Sequence, residues 1–281
     1  MKFVRYGEKG SEKPGLLDAE GQIRALSPLF ADITVDMLSP ESQAILAALD
    51  VNKLPVVVGS PRLGPPVADI SQIIAIGLNY VDHAEEADFP IPDFPLVFAK
   101  SIASLSGAND PIAVPASIER LDWEIELGFV IGKGGRHIAV EDALSHVAGY
   151  CTVIDVSERM WQFDRGGQLG KGKSYDNFTP MGPFLATPDE IPEPQGLDLW
   201  LDVNGESRQR GTTKEMIFPV AELIAHLSTY QTLLPGDLVI TGTPAGVALG
   251  MKPPQWLTHG DHVTCGVSFL GEQSHDVVLE D

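Results

Sequence analysis

Glu124 and Glu126 stand two residues apart inside a run of large apolar side chains, Asp122-Trp123-Glu124-Ile125-Glu126-Leu127-Gly128-Phe129-Val130-Ile131. Read with a period of two, Trp123, Ile125, Leu127, Phe129 and Ile131 share one face of a strand, and Glu124, Glu126 and Gly128 share the other. Carboxylates one pleat apart, with Cα atoms about 6.5–7 Å from each other, can converge on a single ion. Without a cation between them they would repel each other and lose hydration. A sheet with one wet face would carry the same two acids with no chemistry attached, so this strand alone decides nothing. A second apolar strand, Cys151-Thr152-Val153-Ile154, ends abruptly in Asp155. Three such carboxylates form an oxygen-only set suited to hard Mg²⁺ or Mn²⁺, with positions left for water and substrate. His259 and His262, in a turn-rich stretch, read as surface residues without acid partners.

Two further segments carry possible chemistry. Asp82-His83-Ala84-Glu85-Glu86 reads as the start of a short helix, with Asp82 as N-cap and Glu85 at N3. His83 and Glu86 are three apart and share a face. A carboxylate beside an imidazole orients it and makes it a better acceptor of a water proton; taken alone, the segment reads first as a surface helix with ordinary charges. Gly242-Thr243-Pro244-Ala245-Gly246 follows a strand and offers a hydroxyl and backbone N–H groups to a carboxylate, or is a plain tight turn. Gly167 to Ser174 fits the P-loop pattern letter for letter, but that motif needs a buried strand before it and a helix after it. Asp164-Arg165 precede it and two prolines, Pro180 and Pro183, follow, so nucleotide binding is not expected.

These residues must be positioned by a chain of 281 residues, 43% of them hydrophobic, with 39 acidic against 19 basic side chains and a formal charge of −20. That balance argues against nucleic acid or an anionic membrane as partner. Two distant cysteines, the polar N-terminus and the absence of any apolar run of membrane-spanning length point to a cytoplasmic protein. Residues 1–66 read as a small N-terminal α/β domain and linker. Its strands cover Phe3–Tyr6 and Gln22–Leu26, its helix opens at Pro40 with Ile45, Leu46 and Leu49 as apolar stripe, and a proline-rich stretch closes it. Residues 67–281 read as the catalytic domain, mostly short strands with turn chemistry between them. Asn204-Gly205 marks a hairpin, Gly271 another, and Val220, Leu223, Ile224, Leu227 and Leu234 mark one amphipathic helix. The fold class expected is β-rich α+β.

From about residue 70 onward the chain resembles the fumarylacetoacetate hydrolase family. The likeness rests on Gly77-Leu78-Asn79-Tyr80 followed by His83, the Asp-Trp-Glu-Ile-Glu-Leu-Gly strand, Val153-Ile154-Asp155-Val156-Ser157, Lys173-Ser174 and Gly242-Thr243-Pro244-Ala245-Gly246-Val247, in that order. The Arg5-Tyr6-Gly7 and Lys13-Pro14-Gly15 segments are most similar to the bacterial branch with 2,4-diketo-3-deoxy-L-rhamnonate and L-fuconate hydrolases. The resemblance implies a mixed β-sandwich roll, a homodimer, and Glu124, Glu126 and Asp155 as ligands of Mg²⁺ or Mn²⁺. It further implies His83 and Glu86 as the water-activating pair and Lys173 as catalytic lysine, with Thr243, Lys100, Arg159 and Gln162 around the substrate. The additional upstream aspartate ligand of the animal enzymes has no equivalent here. The implied reaction is hydrolysis of the carbon–carbon bond of a small 2,4-diketo acid in sugar acid catabolism: water activated by His83 attacks C4, Lys173 stabilises the oxyanion, and a pyruvate enolate departs. Enol–keto isomerisation or oxaloacetate decarboxylation on the same scaffold, and a catalytically silent metal-binding protein, are the alternatives.

Overall fold

The computed structural model describes residues 1–280. In chain order the strands are β1 (Lys2–Tyr6), β2 (Lys13–Leu17), β3 (Ile23–Ala25), β4 (Leu63–Gly64), β5 (Ile73–Gly77), β6 (Leu96–Lys100), β7 (Leu105–Gly107), β8 (Ile112–Val114), β9 (Leu121–Asp122), β10 (Ile125–Ile131), β11 (Val147–Ile154), β12 (Ser157–Glu158), β13 (Thr179–Ala186), β14 (Asp198–Val203), β15 (Glu206–Thr212), β16 (Leu238–Ile240), β17 (His262–Val267) and β18 (Glu272–Leu279). The α-helices are α1 (Pro40–Ala47), α2 (Val81–Glu86), α3 (Arg159–Phe163), α4 (Leu169–Lys173) and α5 (Val220–Tyr230). An eleven-stranded mixed sheet runs β3-β2-β1-β13-β11-β10-β16-β5-β6, with β4 and β7 beside it; a five-stranded sheet runs β15-β14-β17-β18-β8. This is the β-rich α+β architecture expected, and among the described residues no helix is long and apolar enough to cross a membrane.

Strand β10 lies in the middle of the large sheet, between β11 and β16. Its alternation divides two cores. Trp123, Ile125, Leu127, Phe129 and Ile131 enter one apolar cluster, while Val130, on the face of the glutamates, enters another with Val153, Met181 and Ile240. Both faces are therefore dry, which removes the wet-sheet reading of the two acids. Gly128 is needed on that face, because a Cβ there would lie 2.6 Å from Val153 Cγ2.

The first 66 residues extend the same sheet. β1 pairs antiparallel with β13, Lys2 facing Ala186, and β2 and β4 pair with β1. Phe3, Leu16, Leu26 and Ile33 share a core with Val130, Ala148 and Leu185. In α1 only part of the expected stripe is realised: Leu46 is buried and Leu49 packs at the edge, but Ile45 is exposed. In α5, Val220, Leu223, Ile224 and Leu227 are buried as their spacing requires, whereas Leu234 lies beyond the last turn and faces solvent. Asn204 and Gly205 both take positive φ, 54° and 77°, the two-residue turn that matches strand twist between β14 and β15.

Two local expectations are corrected. α2 begins at Val81 with Tyr80 as N-cap and no side-chain cap, so Asp82 sits inside the first turn and the Asp82–Glu85 capping box does not form. There Asp82 accepts a hydrogen bond from the His83 N–H, and its charge favours the helix N-terminus. His262 does have an acid partner: strand pairing brings Asp276 across from it, with Nδ1 2.7 Å from Oδ1.

Candidate active site

The β10–β11 register brings the three predicted ligands together. Ile125 faces Ile154, and the Asp155 N–H donates to the Glu124 carbonyl, so Asp155 lies across from Glu124 just past the regular ladder. Ligand oxygens of Glu124, Glu126 and Asp155 all lie within 4.8 Å of one another, and all three residues are buried.

The charges around them are unequal. Lys173, delivered by α4, donates to Glu124 Oε2 at 2.7 Å and to Asp155 Oδ2 at 2.6 Å. Arg159, at the start of α3, donates to the other oxygen of Glu124. Burial pushes the Glu124 carboxyl up, but the Lys173 and Arg159 cations outweigh it and hold the pKa at about 2. Burial lowers the Lys173 ammonium, but Asp155 and Glu124 overcompensate and raise it. Glu126 accepts only from the Gly242 N–H, at 2.7 Å, and has no salt bridge among the described residues. Its pKa is driven far above the ordinary range by burial, then by the Asp155 and Glu124 charges. A buried carboxylate left short of positive charge, in an all-oxygen donor set, fits a hard divalent cation.

The cluster opens onto a cavity of about 310 Å³, also lined by His83, Arg159, Gln162, Lys173 and Thr243. His83 Nδ1 lies 3.5 Å from Glu86 Oε2, a loose contact, and has no hydrogen-bond partner among the described residues. Both Glu86 oxygens accept from the Gly246 N–H at 3.0 Å. Gly246 has φ +106° and a Cβ there would lie 2.1 Å from the Arg208 carbonyl, so glycine is required at this donor.

The remaining predicted residues divide. Arg159 Nη1 donates to Gln162 Oε1 at 3.0 Å, and both face the cavity. Thr243 faces it too, but its hydroxyl donates to the Ile125 carbonyl and accepts from Gln209, so that proton is already committed. Lys100 does not line the cavity. As the last residue of β6 its ammonium is buried against Asp155 Oδ1 and the Phe178 carbonyl. Burial lowers its pKa despite Asp155.

Two residues of the network have no role in the sequence reading. Asp122, fully buried, accepts from the N–H groups of Trp123, Ala248 and Leu249 and pairs with Arg159. It continues the 122-124-126 alternation, a signal the sequence did hold. Gln209 holds the Ile125 N–H and Thr243, and nothing in its polar hairpin distinguishes it.

Residues 72–278 match the family model for the fumarylacetoacetate (FAA) hydrolase C-terminal domain. A Burkholderia multivorans protein named only as a hydrolase is 52% identical over 274 residues, 97% of each chain. Three solved structures superpose over all of both chains. They are fumarylacetoacetate hydrolase from psychrophilic Exiguobacterium antarcticum (33% identity, TM-score 0.89), maleylpyruvate hydrolase from Sphingobium sp. SYK-6 in complex with manganese(II) and pyruvate (28%, 0.82), and 5-carboxymethyl-2-hydroxymuconate delta-isomerase from Mycobacterium smegmatis (28%, 0.79). With its three gathered carboxylates and this match over most of its length, the chain belongs to the fumarylacetoacetate hydrolase family.

Proposed function

We propose that this chain is a metal-dependent hydrolase of the C3–C4 bond of a 2,4-diketo acid, releasing pyruvate. Within that class we assign it 2,4-diketo-3-deoxy-L-rhamnonate or L-fuconate, with L-lactate as second product, on the resemblance of its N-terminal segments. The observation that carries the hydrolytic reading is a single cavity holding both the three-carboxylate cluster and a histidine whose acid partner is anchored. The manganese and pyruvate of the Sphingobium relative support it.

Glu124, Glu126 and Asp155 would hold Mg²⁺ or Mn²⁺, which when bound supplies Lewis acidity and a sink for the charge of the departing pyruvyl fragment. The other groups belong to the chain itself. His83 turns Nδ1 toward Glu86, leaving Nε2 to take a proton from water, and Glu86 stabilises the imidazolium that results. Lys173 has three ammonium protons and spends two on Glu124 and Asp155, leaving one for the oxyanion at C4. Gln162, its oxygen fixed by Arg159, keeps its NH₂ for a substrate oxygen. The main chain of Thr243, in place of its hydroxyl, serves the substrate carboxylate, and Lys100 acts on Asp155 only. A homodimer completes the proposal: β6 is an edge strand, and Ile91, Phe94, Val97 and Ile102 around it are exposed.

The isomerase among the relatives keeps enol–keto isomerisation as a second reading. Product analysis separates the readings. Pyruvate with a second acid marks hydrolysis, an uncleaved isomer marks isomerisation, and CO₂ marks decarboxylation. The ultraviolet absorbance of the enolised diketone should disappear with Mg²⁺ or Mn²⁺ present, persist under chelator, and disappear again on adding back metal; a chelator-insensitive reaction refutes the metal role.

Gly250 offers a finer check. A Cβ there would lie 2.3 Å from Glu86 Cδ, so Gly250→Ala should push the carboxylate away from His83. Because the clash is with the end of a flexible side chain, the fold should survive. We expect kcat to fall on the order of tenfold to a hundredfold, with KM and Tm little changed.

A further inference from the structure

We propose that Asp122 is a positioning residue of the metal centre: it takes up the charge of Arg159, so that Glu124 keeps its own for a cation. The inference rests on the three-carboxylate reading and extends it to a residue that lies outside both the cavity lining and the clustered ligands. Asp122 ends β9 and is fully buried. Its Oδ2 accepts from Arg159 Nε at 2.9 Å and lies 2.8 Å from Nη2, the same nitrogen that donates to Glu124. Nη1 donates to Gln162. The planar guanidinium is thus held between an acid that faces the metal site and one that does not. Asp122 Oδ1 accepts from the N–H groups of Trp123 and Ala248, which keeps the carboxylate from turning away.

The balance of charge makes this contact more than packing. The buried cluster joins four acids, Asp122, Glu124, Glu126 and Asp155, to three bases, Lys100, Arg159 and Lys173, with His83 as the neutral base. One negative charge is in surplus, and a divalent ion gives up its water more readily to a site that has one. Without Asp122 the surplus would vanish and Arg159 would bear on Glu124 alone. Unit charges a few ångströms apart in a buried site interact strongly, so the loss would be felt at the ion.

Calorimetric titration with Mn²⁺ tests this without reference to turnover. Asp122→Asn should raise the Kd by about 10–100-fold, the usual effect of losing an outer partner of a metal site. Adding Arg159→Gln removes the unbalanced cation and restores the surplus, so the double variant should bind within about threefold of the unaltered protein. Its kcat should stay low, because Gln162 has lost the arginine that orients it. A merely structural Asp122 predicts the reverse order, with the double variant the weaker binder. A Kd for Asp122→Asn within about threefold of the unaltered value, or a double variant that binds no better than Asp122→Asn, overturns the inference. Removing both members of a buried pair is milder than removing one. If Asp122→Asn does not fold, the double variant is therefore compared with the unaltered protein, and a Kd weaker by about tenfold or more overturns the inference. Absence of Mn²⁺ binding by the unaltered protein would refute the three-carboxylate centre and this inference with it; binding indifferent to Asp122 refutes the inference alone.

Discussion

Glu126→Gln is expected to lower kcat/KM by about a thousandfold or more while the protein still folds. Glutamine is nearly isosteric, and its carbonyl oxygen can accept from the Gly242 N–H as the carboxylate does. What it removes is charge at the one carboxylate of the three that has no lysine or arginine partner among the described residues. Glu124 and Asp155 are already neutralised in part by Lys173, so Glu126 contributes most of the uncompensated negative charge available to a divalent ion. Polarisation of a carbonyl by a bound metal is worth several kcal/mol, and a thousandfold corresponds to about 4 kcal/mol. Calorimetric titration with Mn²⁺ should show weakened binding, and steady-state kinetics at saturating metal should recover only part of the rate. Full activity in the Glu126→Gln enzyme would refute the three-carboxylate centre.

His83→Gln should have the second-largest effect and a different signature. General-base catalysis is worth about 10²–10⁴-fold, and the loss should fall on kcat, with Mn²⁺ affinity unchanged because His83 is not among the clustered ligands. Glu86→Gln should cost less: an amide oxygen still accepts from Gly246, and only stabilisation of the imidazolium is weakened. A histidine variant that lost metal binding together with rate would instead make His83 part of the ion's surroundings.

Much of the centre was legible because its residues obey short-range rules. Glu124 and Glu126 could be paired by strand period alone, and His83 and Glu86 by helical spacing. That Asp155 faces Glu124 depends on the β10–β11 register, which periodicity cannot supply; the family resemblance supplied it. The misplacements share a cause: a side chain's partner lies far away in sequence. Lys100 reads like a substrate lysine until the fold brings Asp155 onto it, 55 positions on. Thr243 offers a free hydroxyl until Ile125 and Gln209 take it. Helical spacing puts Glu86 beside His83, at 3.5 Å, yet the group that fixes Glu86, the Gly246 N–H, lies 160 positions away.

The pairing of β1 with β13 also bears on how the polypeptide reaches this state. Phe3 finds its neighbour Leu185 only after the long stretch between them has been synthesised. At roughly 5–20 residues per second that is a wait on the order of ten seconds. Throughout it, β1 can pair with β2 on one side, but the edge that will meet β13 carries unmatched amides and competes with every other nascent strand for a partner. Contacts between such distant positions make assembly slow and expose it to misassociation, so the β1–β13 edge is where chaperone dependence should concentrate.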